Sequence, residues 1–595
     1  MDLVTGEQMR ERDRRTIDGG LVPSLTLMER AGRGLLASIL RRFHRLHQAR
    51  IVIVCGRGNN GGDGLVLARL LRDRGLHPQV FLAGRIAALE GDAATNAARA
   101  GAAGLWIRET GADEIGDPES AVRRCLRALR SEDLLVDALL GTGLRGPARG
   151  DALFWIQAIN ASPARVVAVD IPSGLHPGET GEETVRAEWT VTMGSPKLSF
   201  AFHPGRSRTG EVDVVDIGIP ETVSSEVPAS ATLLDPTETP AWLPAPGPAS
   251  HKGDWGKLLI AGGSPGLSGA VALAARAALR SGAGLVRAGV PGSLSRVFDA
   301  MVTEAMSISL PEGEDGQLLA MGAERLLGGF GDWDALVLGP GLGRSPEGER
   351  FVMRVLSGWR KPLLIDADGL NALAAWGPAS WVPPARDRHA GGSPGGCVLT
   401  PHLGEMSRLS GRPIAALAAD PVGEARNSAV LWGVTVALKG APSVIAAPTG
   451  EVWVNPTGNS GLATGGSGDV LSGIIGTLLA QGLGGPRAAA LGCYLHGLAA
   501  DIVVEGIARR SLIPGDVVAA LPEAFRRAER GEDPPRRRWR RLDPDPGVPL
   551  RVAGSVFGGS RSTSARGVSA RGPSADHGAP GRWARGPGDP GELRP

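Results

Sequence analysis

Cysteine is scarce: four residues, at 55, 125, 397 and 493, in a chain of 595. They lie too far apart for a zinc motif and are too few for a disulfide framework, so a reducing cytoplasm is the simplest compartment. The N-terminus, MDLVTGEQMRERDRR, lacks the apolar core of a secretory signal. No uncharged apolar run reaches about 18 residues without Gly or polar interruptions, so no membrane span is expected. An excess of one charge is also missing, since 64 Lys+Arg stand against 62 Asp+Glu. Residues 531–595 hold 12 Arg against 7 Asp+Glu, which leaves the rest of the chain at −3 and without the basic footprint of a nucleic-acid binder. Gly (88) and Pro (45) are abundant but follow no triplet period, which excludes collagen. Lysine is rare: five (197, 252, 257, 361, 439) against 59 Arg. Such a bias reflects GC-rich codons, and it makes each remaining Lys, and each of the eight Asn, informative.

What is present is an ordinary globular composition, 42% hydrophobic and 21% charged, long enough for several cores. Thr5 and Gln8 make a capping box that opens a helix, and a second helix is predicted over 27–44. IVIVC (51–55) is a short β-branched run, followed by the glycine loop GRGNNGGDG and the apolar-periodic LVLARLLRDRG. Strand, loop and helix are read in that order. DLLVDALLG and VVAVDIPSG repeat the apolar strand signature of a parallel sheet buried on both faces. Residues 1–225 therefore read as one doubly wound α/β domain. The Pro- and Ala-rich stretch 226–250 reads as a linker. KLLIAGG, LVRAGV, ALVLGPG, PLLIDADG, CVLTP and VTVALKG then announce a second, larger α/β domain over 251–530. Within it, 375–396 reads as a surface insertion. From 531 onward the Arg, Gly, Pro and Ser composition predicts a disordered tail.

In the first domain, Gly56-Arg-Gly58-Asn-Asn-Gly61 matches a dinucleotide loop in the right place, between strand and helix. An ordinary dehydrogenase would also carry a carboxylate at the tip of the second strand, and QVFLAG carries none. A mere glycine turn would not need Asn59, Asn60 and Asp63. If the strands are parallel, these residues converge with Asp137, the GTGLRGP loop, Asp170 and Ser173 at the carboxyl edge of the sheet, where open α/β sheets bind ligands. The amides of 141–146 suit phosphate oxygens. Asn60 and Asp137 are hard oxygen donors suited to K⁺ or Mg²⁺ rather than zinc.

LMERAG (27–32), GRGNNGGDG, DALLGTGLRG, VDIPSGL and GSPK (194–197) together resemble the NAD(P)H-hydrate epimerase family, also called YjeF-N, over about residues 1–220. The resemblance implies a Rossmann-like fold with a K⁺ site at Asn60, Asp137 and Ser173. It implies contact with the hydrated dinucleotide by Asn59, Asn60, Gly61, Gly62 and Asp63, by Gly141, Thr142, Gly143, Leu144, Arg145, Gly146 and Pro147, and by Asp170. Asp170, at a strand end, is the candidate acid/base for inverting carbon 6 of the hydrate. His176 departs from the Asp common in the family.

In the second domain, GNSGLATGGSGD (458–469) precedes the helical VLSGIIGTLLAQG, so free amides and one carboxylate, Asp469, meet at a helix N-terminus. An Asp placed where phosphate would repel it suits a general base. With HKGDWG, GPGLG, DADGLN, TPHLGE and KGAPS, this pattern resembles the ribokinase-like ADP- or ATP-dependent NAD(P)H-hydrate dehydratases over about 230–530. The resemblance implies that Lys439, Gly440, Ala441, Pro442, Ser443 and Gly468 hold the nucleotide. Ala270, Gly341, His402 and Asp469 would hold the hydrate, with Asp469 taking the hydroxyl proton before phosphate is eliminated. Leu403 and Ser467 replace a usual Pro and Thr. Mg²⁺ should accompany ADP or ATP, with Glu405 and Asp366 as candidate outer ligands.

The sequence is thus expected to encode a bifunctional repair enzyme acting on hydrated NADH or NADPH, cytoplasmic and homo-oligomeric, with no nucleic-acid or membrane partner. A vitamin or sugar kinase of the ribokinase class with an accessory dinucleotide-binding domain is the enzymatic alternative. A first domain serving only as ligand sensor or scaffold is the non-enzymatic one.

Overall fold

The computed structural model describes residues 1–118, 120–144, 146–176, 183–244, 247–328, 332–377, 396–535 and 538–542. The stretch read as a surface insertion lies almost wholly outside the described residues. Two sheets organise the rest. The first has eight strands, all parallel, in the order Trp539–Leu542, Glu211–Val215, Trp189–Met193, Arg165–Val169, Leu134–Ala138, Ile51–Cys55, Gln79–Ala83 and Ile107–Thr110. Its order reverses between Ile51–Cys55 and Leu134–Ala138, the switch point of a doubly wound sheet. IVIVC and LLVDA are buried at every position, as strands covered on both faces must be.

The expected capping box is present: Gln8 N donates to Thr5 Oγ1 at 3.1 Å, and Thr5 N to Gln8 Oε1 at 2.8 Å. The second helix runs Ser24–Arg42. The third begins earlier than its apolar period indicates, at Asn59, so Asn59 to Asp63 form its first turns rather than a loop. Two glycines make that turn possible by close approach. A Cβ on Gly56 would stand 1.8 Å from Leu139 O, and one on Gly61 1.9 Å from Gly56 O.

The second sheet has eleven strands. Seven are parallel: Thr435–Leu438, Cys397–Leu399, Leu363–Ile365, Ala335–Leu338, Lys257–Ala261, Leu285–Pro291 and Met306–Leu310. Antiparallel Val444–Ala446 and Val452–Val454 extend it, followed by Ala231–Leu233 and Asp2–Leu3. All six strands expected here are present. Gly485–Gly506 is long and apolar enough to cross a membrane, but 83% of its apolar window is buried inside the fold. It packs between Ser467–Ala480 and Pro514–Glu529 as a core helix.

Two boundaries differ from expectation. The predicted linker contains Ala231–Leu233, which joins the large sheet beside Val452–Val454. Three residues are too few for a period to show in the sequence. The predicted tail begins too early, because Trp539–Leu542 pairs in parallel with Glu211–Val215. Trp539 is 8% exposed and stacks on Phe200 with ring centroids 6.4 Å apart. Each terminal strand thus lies in the sheet of the other half of the chain. Trp539→Ala is expected to cost on the order of 3 kcal/mol. Deleting 535–595 is expected to lower the melting midpoint by several degrees. An unchanged thermal scan for both variants would show that this strand contributes nothing to stability.

Candidate functional sites

A cavity of about 650 Å³ opens at the switch point of the first sheet. It is lined by Arg57 to Asn60, Asp63, Leu139 to Leu144 and Asp170, with Met9, Arg10 and Asp13 from the first helix. The expected convergence of Asn59, Asn60, Asp63, Gly141, Thr142, Gly143, Leu144 and Asp170 is therefore found. Gly61 and Gly62 are buried within the helix beneath them. Gly146 and Pro147 do not line the cavity, and Arg145 lies outside the described residues.

Asp137 sits under this floor, fully buried. Its Oδ2 accepts from Ser173 N at 2.8 Å and its Oδ1 from Ser173 Oγ at 2.6 Å. Burial pushes its pKa up to about 6 against the pull of these bonds. Asn60 donates through Nδ2 to Leu140 O at 2.9 Å, while its buried Oδ1 has no hydrogen-bond partner. An orphaned amide oxygen near a desolvated carboxylate is the donor chemistry a monovalent cation satisfies.

Asp170 follows the Arg165–Val169 strand with φ at +61°, a conformation rare outside glycine. Its Oδ1 accepts from Met193 N at 3.1 Å, from Thr192 Oγ1 at 3.2 Å and from Lys197 Nζ. Oδ2 accepts no hydrogen bond among the described residues. Lys197 is 2% exposed and also donates to Thr192 Oγ1 at 2.8 Å. Asp13 and Asp63 stand near this pair. Burial, then the Asp170 and Asp13 charges, raise the Asp63 pKa well above the carboxylate range. Burial likewise lifts Asp13 to about 6, and its Oδ1 is buried without a partner. Neither Asp13 nor Lys197 is among the site residues that the sequence motifs imply. Lys197 carried a signal, being one of five lysines and part of the GSPK motif. Asp13, one charged residue among many in MRERDRRTID, carried none, although it shares the inward face of its helix with Met9 and Ile17.

The second cavity, about 1120 Å³, opens at the carboxyl ends of Leu363–Ile365, Cys397–Leu399 and Thr435–Leu438. It gathers His402, Lys439, Gly440, Ala441, Pro442, Ser443, Gly468 and Asp469. Ala270 and Gly341 do not line it; they abut each other, since a Cβ on Gly341 would lie 3.0 Å from Ala270 Cβ. Asp469 is the third residue of helix Ser467–Ala480. Burial first, then the Asp366 charge, lift its pKa to about 7, outweighing the pull of Lys439. His402 has a second role: its Nδ1 accepts from Gly404 N at 3.0 Å and Glu405 N at 3.2 Å, capping helix Leu403–Ser410. Burial and the charge of Lys439 hold the imidazole below its ordinary pKa. His496, not expected, also lines the cavity, 3.3 Å from Ser467 Oγ and pushed down to about 4 by burial.

The carboxylates expected as outer Mg²⁺ ligands are otherwise engaged. Asp366 Oδ1 accepts from Lys439 Nζ at 2.7 Å and Oδ2 from Ser472 Oγ at 2.7 Å. Glu405 Oε2 lies 3.7 Å from the same ammonium and accepts from His402 N at 2.8 Å. Among the described residues no group of three His, Cys, Asp or Glu side chains could hold a metal; a Mg²⁺ that arrives on nucleotide phosphates needs only one or two carboxylates beside it. Burial disfavours the Lys439 charge, yet Asp366 and Glu405 hold its pKa above the ordinary lysine value.

Comparison with known proteins follows the same two halves. The family profile described as YjeF-related protein N-terminus matches residues 24–199, and that of NAD(P)H-hydrate dehydratase matches 258–522. A bifunctional NAD(P)H-hydrate repair enzyme of Moorella thermoacetica is 42% identical over 89% of this chain and 97% of its own length. Its namesake in Escherichia coli is 35% identical over 79% and 84%. A crystal structure of the ADP/ATP-dependent NAD(P)H-hydrate dehydratase from Bacillus subtilis is 30% identical, covering 50% of this chain and 99% of that one with a TM-score of 0.43.

Lys439→Met would leave two buried carboxylates unpaired, and is expected to cost on the order of 3 kcal/mol. Adding Asp366→Asn should recover part of the loss. Denaturant titration of both variants checks this, and an unchanged Lys439→Met midpoint would rule out a stabilising role for the pair.

Proposed function

Because the chain belongs to the family of bifunctional NAD(P)H-hydrate repair enzymes, we propose how its two cavities divide the work. The first interconverts the R and S forms of hydrated NADH and NADPH. The second dehydrates the S form at the expense of ADP or ATP. One observation carries the second assignment: Asp469, with a proton affinity matched to neutral pH, stands at a helix N-terminus beside the Lys439–Asp366 ion pair.

In the second cavity Asp469 accepts the proton of the hydrate hydroxyl as that oxygen takes a phosphoryl group from the nucleotide. The amides around 465–468 stabilise charge on the transferring group. Elimination of phosphate then restores the reduced nicotinamide. Lys439 and the 440–443 turn hold the nucleotide. In the first cavity Asp170, its Oδ1 fixed by Lys197 and Met193, presents Oδ2 as the acid/base at carbon 6. The orphaned Asn60 oxygen, Asp137 and Ser173 would hold K⁺, which supplies charge beneath the 139–144 turn.

Asp170→Asn should reduce epimerisation by about 10²- to 10⁴-fold and leave dehydration of pure S-hydrate unchanged. Simultaneous loss of both activities in a folded variant would contradict separate sites. Asp469 makes no cap hydrogen bond, the N-cap being Gly466, so Asp469→Asn removes the base and leaves the helix start intact; dehydration should fall by about 10²- to 10⁴-fold while nucleotide still binds. The base works only when deprotonated, so wild-type turnover should fall as pH drops below about 7. Return of reduced-nicotinamide absorbance is the readout. Accumulation of a phosphorylated product instead would point to a kinase.

A further inference from the structure

The second cavity is not walled by the second half of the chain alone. His203 and Arg206, beside and within the short Gly205–Arg208 helix of the first half, line it. So does Arg538, which immediately precedes the edge strand Trp539–Leu542. The strand's pairing anchors Arg538, since its carbonyl accepts from Val212 N at 2.6 Å. The Arg538 guanidinium donates to Arg206 O at 2.5 Å and Gly210 O at 2.6 Å, which sets it beside Arg206.

The Arg206 guanidinium itself forms no hydrogen bond and no ion pair among the described residues, and Arg538 forms no ion pair. The carboxylates that influence them are Asp501 for Arg206 and Glu211 for Arg538, neither within ion-pair distance. Asp501 is meanwhile held by Gly458 N at 2.8 Å and Asn459 Nδ2 at 2.9 Å. Burial, and for Arg538 the neighbouring Arg206, pull both groups down, Arg538 to about 10. Two mutually repelling, half-buried guanidiniums on one cavity wall are an unfavourable arrangement unless an anion joins them. Guanidinium forks match phosphate oxygens in geometry as well as charge.

We propose that Arg206 and Arg538 bind phosphate oxygens of a nucleotide in the second cavity, so that the first half and the returning C-terminal strand complete a site whose chemistry belongs to the second half. This rests on the function proposed above. The phosphate could belong to the adenine nucleotide or to the dinucleotide hydrate, which share the diphosphate group.

Calorimetric titration of ADP and the KM for NADPH hydrate, on the full chain and on Arg206→Gln and Arg538→Met, separate these sources. A ten- to hundredfold weaker ADP affinity, roughly the loss of one bond to a charged group, assigns the pair to the adenine nucleotide. The same rise confined to the KM for hydrate assigns it to the dinucleotide. Arg206→Lys, which keeps the charge, should recover part of the affinity. If wild-type protein binds ADP and turns over hydrate, and both variants match it in both measurements, the arginines have no such role. If the wild type does neither, the functional reading itself fails.

Discussion

The exchange of terminal strands is the constraint on which the arrangement of this molecule depends. Asp2–Leu3 pairs with Ala231–Leu233 at the edge of the large sheet, and Trp539–Leu542 closes the edge of the small one. An edge strand satisfies a row of backbone donors and acceptors that would otherwise face solvent or another chain. Because each half supplies that strand to the other, the two cores are tied at both ends of the described chain. The Gly205–Arg208 helix is thereby brought to the mouth of a cavity whose walls from the second half of the chain, Arg538 among them, lie more than 150 residues away in sequence.

Within that frame both cavities use one electrostatic device. A carboxylate at the end of a parallel strand, Asp170 or Asp366, is held by a lysine, Lys197 or Lys439, and in each pair one partner, Lys197 or Asp366, is fully buried. In a chain with 59 arginines this choice has a physical reason. The ammonium is a compact point charge that fits between hydroxyl and carboxylate oxygens, whereas a guanidinium needs a planar fork of acceptors. The pairs also leave nearby carboxylates unneutralised. Asp63 and Asp13 beside the first pair, and Asp469 beside the second, all have raised pKa values because burial is not fully offset. Asp13 and Asp469, lifted to about 6 and about 7, can exchange protons near neutral pH.

The core strands and the motif-bearing turns were legible in the sequence. IVIVC is apolar throughout, while LLVDA and KLLIA each carry one charged residue, Asp137 and Lys257, in an otherwise apolar run of the kind that a sheet covered on both faces buries. The carboxyl ends of the parallel strands locate Asn60, Asp137, Asp170, His402 and Lys439, because parallel strands deliver their following turns to one edge of the sheet. Local chemistry also marked the helix starts at Thr5 and before Asp469.

What tertiary structure alone decided is whatever depends on partners distant in the chain. Ala231–Leu233 and Trp539–Leu542 have too few residues for a period, and they are strands only because an open edge accepts them. Glu405 and Asp366 are free carboxylates in the sequence pattern, but the fold places the Lys439 ammonium 3.7 Å and 2.7 Å from them. Asp13 became a site residue because its helix packs over the switch point, and Arg206 and Arg538 because the C-terminal strand returns to the first sheet. The sequence by itself determined the two parallel-sheet cores and the edges that carry the motifs, since burial pattern and turn chemistry are local. Charge pairing, orphaned oxygens and shared cavity walls were decided by the fold, because each is a property of two or more residues whose separation only packing sets.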